Sequence, residues 1–188
     1  MKNSIIIQAL FYLAAKLGKS VSKIQLLKLM YFSDKLHLIR YGRTITGDRF
    51  VAMPLGPLGS ATYDVIKSKT TPEHNREFSA LFIKTGTDSF QARKKLSEVK
   101  LDWLSETNRE VLNTVLATLG SEDALMLSDY SHTYPEWFKH EADFRKGVVR
   151  VKNIPTTELF SLSSGKERLP ITREDLERAK SIYSDSCF

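Results

Sequence analysis

The sequence predicts an α+β fold that is mainly α: a compact helical domain around a buried central helix, with a small antiparallel sheet. Three observations carry this expectation. Ile24 to Leu38 is apolar on several helical faces, with Ile24, Leu27, Tyr31 and Leu38 on one row and Leu26, Met30 and His37 on another, and a helix of that kind is buried between layers. Arg49-Phe50-Val51-Ala52-Met53 reads as a strand, entered through a Thr46-Gly47-Asp48 turn and closed by Pro54, since Gly and Asp tolerate positive φ and Pro ends ladder pairing. Helix start and stop signals then recur along the rest of the chain.

The elements follow in order. Ile6, Leu10, Leu13 and Leu17 mark an amphipathic first helix from about Asn3 to Leu17, stopped at Gly18. The central helix is expected from about Ser22 to Arg40, with Ser20 or Ser22 as its cap and Gly42 as its left-handed stop. At 1.5 Å per residue it is about 28 Å long. Gly56-Pro57 is expected to start a third helix, because Pro at the first helical position loses no hydrogen bond. Lys67 to Ser79 reads as a polar loop, with strands at Leu81–Ile83 and Leu96–Lys100 beyond it. Ser105 caps a helix striped by Val111, Leu112, Val115, Leu116 and Leu119. Gly120 ends it, Ser121 starts the next, and Pro135 opens a short one that holds Trp137. Gly147 to Lys152 reads as extended and Ser161 to Gly165 as a loop. Thr172, Asp175, Ile171 and Leu176 have the spacing of a reciprocal cap and staple on a last helix. Residues 1–150 are expected to form the main domain, and 151–188 an extension packed on it that ends in that helix.

Composition narrows the class. The 188 residues are 41% apolar and 27% charged, ordinary for a globular protein. The single cysteine, Cys187, cannot form an internal disulfide, which fits a reducing cytosol and a cytoplasmic protein. The apolar N-terminal stretch reads as the amphipathic helix rather than a secretory signal, and it falls short of the ~20 residues a membrane span needs. Net charge is +6. The cations are scattered, with tight knots only at Arg93-Lys94-Lys95 and Arg145-Lys146, and no RNP-type strand or zinc-finger spacing accompanies them. A solvated basic surface is therefore expected, and a nucleic-acid partner is not.

Candidate chemistry is sparse. His37, His74, His132 and His140 form no HExxH and no Cys/His cluster, so no metal or cofactor site is expected. Glu136 and His140 have the spacing of a surface pair on one helix. Asp34, three residues before His37, is expected to orient or solvate a partly buried imidazole rather than form an acid–base pair with it. Ser128, Asp129 and His132 hold triad residue types, but triads assemble in space and no GxSxG elbow is present. Gly56 and Gly59 lack the Gly-Lys-Ser/Thr of a phosphate loop and read as backbone devices. Tyr130, Tyr134 and Trp137 form either an aromatic binding face or part of the core against the central helix. The residues thus describe a non-enzymatic domain.

Gln25, Lys28-Leu29 and Tyr31-Phe32, followed by His37-Leu38, Tyr41-Gly42-Arg43, Thr46-Gly47-Asp48, Gly56-Pro57 and Tyr63, resemble the pattern of the Panacea domain. This is also described as the SocA-like antitoxin or phage-associated GepA-type domain. Leu127-Ser128, Ser131-His132 and Trp137 are similar to its second block. The resemblance covers roughly residues 4–147, and Leu58 stands where members often place Val. It implies a bacterial or prophage antitoxin that neutralises a cognate toxin by direct binding. It also implies an alternative role as an adaptor delivering a partner to a ClpXP-type protease, or as a phage-associated regulatory binding module. No cofactor or catalysis follows from it. Most motif residues are expected to be scaffold, and Arg43, Arg49, Tyr134 and Trp137 are the expected partner contacts.

Overall fold

Helix α2 (Lys23–Tyr41) runs through the middle of the molecule, and from Gln25 to Ile39 every residue is buried. In the computed structural model, which describes residues 2–147 and 149–185, it packs chiefly against elements from across the chain. They include α1 (Lys2–Leu17), α5 (Glu106–Leu119), α6 (Ala124–His132), α9 (Arg173–Asp185) and the strand β3 (Gly56–Gly59). Being enclosed on all sides explains why its sequence is apolar on nearly every face. Its start and stop are as expected. The Ser22 hydroxyl accepts from the Gln25 N–H at 3.1 Å, and Gly42, at φ +69°, returns its N–H to the Leu38 carbonyl.

Two three-stranded antiparallel sheets flank this helix where the sequence suggested one. The first has the order β1-β5-β4, with β1 Val21–Ser22, β4 Phe82–Gly86 and β5 Ser89–Ala92. The second has the order β3-β2-β6, with β2 Phe50–Met53 and β6 Lys152–Ile154. Its register sets Met53 opposite Gly56, Phe50 opposite Gly59, and Phe50 also opposite Ile154.

Four local expectations are corrected. Gly56-Pro57 does not start a helix: it begins β3, and α3 starts later, at Ser60 (Ser60–Ile66). Pro54-Leu55 forms the tip of a β2–β3 hairpin, and Pro57 is tolerated because β3 is an edge strand that can lack a donor. The polar stretch after Lys67 contains α4 (Pro72–Leu81), capped by Thr71, with Pro72 in its first turn. It buries only Phe78 and Leu81, so its apolar signal is thin. The strand pairing with β4 is β5, while Leu96–Glu98 is a single 3-10 turn. Finally, α6 is capped by Asp123, not Ser121.

The chain beyond residue 150 is woven into this core. β6 extends the β2–β3 sheet, and α9 lies on α2. Thr172 and Asp175 exchange hydrogen bonds at the start of α9 as the spacing predicts, and Ile171 and Leu176 are buried there. Cys187 lies outside the described residues. Among the described residues, no helix is long and apolar enough to cross a membrane.

Candidate partner-binding surface

The motif residues gather at two places along α2. Near its C-terminal end, His37, Tyr41, Gly42, Gly47 and Asp48 set the geometry of the turn into the sheet. The His37 Nδ1–H donates to the Arg43 carbonyl at 2.6 Å, and Nε2 meets the Thr107 hydroxyl at 3.3 Å. Burial pulls the His37 pKa down despite the Arg43 hydrogen bond. Asp34 does not orient this ring. It accepts from the Thr46 N–H and hydroxyl, at 3.0 and 2.6 Å. Burial raises its pKa to about 7, with those two hydrogen bonds opposing the rise.

Asp48 is a long-range helix cap. Its carboxylate accepts from the Ala61 N–H, the Thr62 N–H and the Thr62 hydroxyl at 2.8–2.9 Å. It thereby satisfies first-turn donors of α3, whose own cap residue Gly59 has no side chain to offer. A Cβ at Gly59 would sit 2.3 Å from an Asp48 oxygen, so only glycine fits.

At the other place, residues far apart in sequence converge on the β2–β3 hairpin. The Lys28 ammonium donates to the Pro57 carbonyl at 3.0 Å. A Cβ at Gly56, which has φ +101°, would fall 2.2 Å from Lys28 Nζ and 2.4 Å from Ser131 Oγ. The Ser128 hydroxyl holds the Leu55 carbonyl at 3.0 Å, and the Trp137 Nε1–H holds the Met53 carbonyl at 2.7 Å. His132 stacks on Trp137 with 3.6 Å between ring centroids. Burial, then the nearby Lys28 charge, lowers the His132 pKa.

The hydroxyls of Ser128 and Ser131 are both committed to backbone carbonyls, the latter to Ser128 itself. They are not paired with His132 as a nucleophile would be. Among the described residues, no cluster of three or more His, Cys, Asp or Glu side chains is placed to hold a metal.

Two expected partner contacts are corrected. Tyr134 is fully buried and Trp137 is 3% exposed, so both are core residues rather than surface anchors. Tyr130 and Tyr134 both donate to Glu167, which ties the segment before α9 to α6. Burial and the Glu167 hydrogen bond push the Tyr130 pKa up to about 12. Arg43 and Arg49 are exposed.

Glu136 is also corrected: it forms no surface pair with His140. It lies in the core 2.7 Å from Lys35, and neither side chain is exposed. Lys35 donates to Glu136, the Leu159 carbonyl and the Ser161 hydroxyl. These three acceptors match the three N–H groups of an ammonium. Tyr31 and Ser161 donate to the Glu136 carboxylate. Burial alone would raise the Glu136 pKa, but the Lys35 charge and these hydrogen bonds hold it below the usual carboxylate range. Burial pulls Lys35 down, and Glu136 opposes that shift. The clue was available in the sequence: Lys28, Tyr31 and Lys35 share one helical row of an otherwise apolar helix.

Beside the hairpin lies a groove of about 380 Å³, between the N-terminal half of α2 and the tips of both sheets. Ile24, Leu27, Pro54, Leu58 and Tyr63 give it an apolar wall, and Lys23, Lys28 and Asp88 also line it. Leu55, on its lip, is 57% exposed.

Residues 26–138 match the family described as antitoxin SocA-like, Panacea domain. The matched span runs from the first turn of α2 to the end of α7 (Pro135–Phe138), and so holds both clusters of motif residues. No curated protein and no solved structure gives a match. With more than half its length matched, including the helix that organises the core, the chain belongs to the SocA-like antitoxin family and carries its Panacea domain.

Proposed function

We propose that this protein is an antitoxin that neutralises a cognate toxin by direct protein–protein binding, without catalysis of its own. The family match over residues 26–138 carries the reading. The geometry supports it in a second way. The motif residues act on the fold: Asp48 caps α3, Lys28 and Trp137 grip the hairpin, and Gly42 ends α2. A scaffold fixed by buried polar contacts suits a protein whose task is to present a rigid surface. An interface of ordinary size would bury roughly 1,200–2,000 Å² in total.

The test is co-expression with the product of the neighbouring reading frame. That product should arrest growth alone and be harmless beside this chain, with the two proteins co-purifying. Absence of toxicity, or rescue without a complex, would refute direct neutralisation. Recovery of a protease complex alone would indicate the adaptor role instead. Arg43 and Arg49, both exposed, are proposed edge contacts for an acidic toxin. The double reversal Arg43→Glu/Arg49→Glu should abolish rescue and leave the melting temperature unchanged. Full rescue by that variant would remove both residues from the interface.

A further inference from the structure

The groove beside the hairpin has three features that scattered surface leucines lack. It is concave and apolar, walled by α2 residues Ile24 and Leu27 and by Leu58 of β3. One large apolar side chain stands exposed on its lip, and two more lie nearby on α6. Leu55 on the lip is 57% exposed, while Leu125 and Met126, at 68% and 49%, lie within one turn of Ser128, which holds the Leu55 carbonyl. Exposed apolar clusters of this kind mark interaction sites.

The rim is basic. Lys23 and Lys28 line it beside Asp88, which lies 2.9 Å from Lys23; Lys67, 4.0 Å from Asp88, and Lys84, whose charge Asp88 also feels, stand just outside the lining. Lys28, which lines the groove, is 2% exposed, and its single hydrogen bond goes to the Pro57 carbonyl. Only one of its N–H groups therefore has an acceptor, and no carboxylate is paired with it. The groove therefore offers apolar contact, with the exposed cations Lys67 and Lys84 at its edge beyond Asp88.

We infer that this groove is the anchoring site for a segment of the partner protein that carries an aliphatic side chain beside Asp or Glu. The aliphatic group fills the space between α2 and the hairpin, and the carboxylates meet the lysine rim. The assignment of that partner as a toxin rests on the antitoxin reading; the chemistry of the segment does not. The site lies at the opposite end of α2 from Arg43.

Selection of a random short-peptide library on the intact chain tests the chemistry directly. Enriched peptides should pair an aliphatic residue with Asp or Glu, and their binding should weaken as salt rises. Leu55→Asp, which sets a like charge at the lip against the peptide's carboxylates, should weaken them by at least about tenfold. Lys67→Glu/Lys84→Glu should weaken them several-fold, and both variants alter exposed residues only. Trp103→Ser, an exposed apolar residue outside the groove, should bind like the parent. No enrichment, enrichment without acidic residues, or affinities unmoved by the groove variants would overturn the inference.

The growth assay separates the two readings. Rescue by the parent chain but not by Leu55→Asp, at equal melting temperature, assigns the toxin to this groove. Rescue by both denies the toxin this anchor. A parent chain that never rescues refutes the antitoxin reading, and the peptide selection then decides the groove alone.

Discussion

Lys28 and Lys35 stand about two turns apart on one helix and are both buried, yet their surroundings are opposite. Lys35 has an acceptor for each N–H, a carboxylate at 2.7 Å and the Tyr134 ring 4.2 Å from its nitrogen. Lys28 has one carbonyl, and burial drives its pKa well below the ordinary lysine value. Burying an ammonium is costly unless it is paired and hydrogen-bonded. The contrast separates a structural charge from one left incomplete. The completed lysine joins α2 to the chain around Leu159 and Ser161, outside the matched family span. The incomplete one borders the groove, where a partner can approach.

The sharpest test of this contrast is Lys35→Met. Removing one member of a buried pair leaves Glu136 charged and unmatched, at a cost of about 3–5 kcal/mol. The melting temperature should drop by roughly 10 °C. Adding Glu136→Leu should recover part of that loss, since an apolar pair escapes the desolvation cost. Recovery stays incomplete because Tyr31 and Ser161 lose their acceptor. Thermal unfolding of the single and double variants measures both effects.

Asp34, on the same helix, comes next. Its folded pKa of about 7 lies above the value near 3.9 of an unfolded carboxylate. Its contribution to stability is therefore full below about pH 4 and is lost as pH rises through 7. Asp34→Asn should flatten that part of the stability–pH curve measured by denaturant unfolding. An unchanged slope would show that the Thr46 hydrogen bonds already hold the carboxylate ionised.

The smallest expected effect is that of Lys28→Met. It relieves the burial of a poorly matched amine but leaves the Pro57 carbonyl without its donor. Stability should change by less than about 1 kcal/mol. A loss as large as that of Lys35→Met would break the contrast.

Legibility followed the range of the interactions. The ends of α2 and α9 could be read because Ser22, Gly42 and the Thr172–Asp175 pair act within a few residues of their own backbone. The helix-start chemistry of Gly56-Pro57 is equally suited to an edge strand, and only pairing with β2 decides between them. Thr71 and Pro72 carried a helix signal that the polar composition of α4 obscured. Tyr134 and Trp137 were ambiguous for a related reason, since an aromatic residue serves a core as well as an interface.

The sequence alone determined the buried central helix, the mainly helical α+β class and the family, because each rests on local periodicity, local caps or a pattern of residue types. Tertiary structure alone decided what the motif residues do. Asp48 caps a helix that begins twelve residues later, Lys28 reaches across to Pro57, and Glu136 crosses from α7 to meet Lys35. Partners so distant along the chain leave no periodic trace in it. The physical reason is that a buried polar group must find its counterpart in space, and the chain order does not record which one it finds.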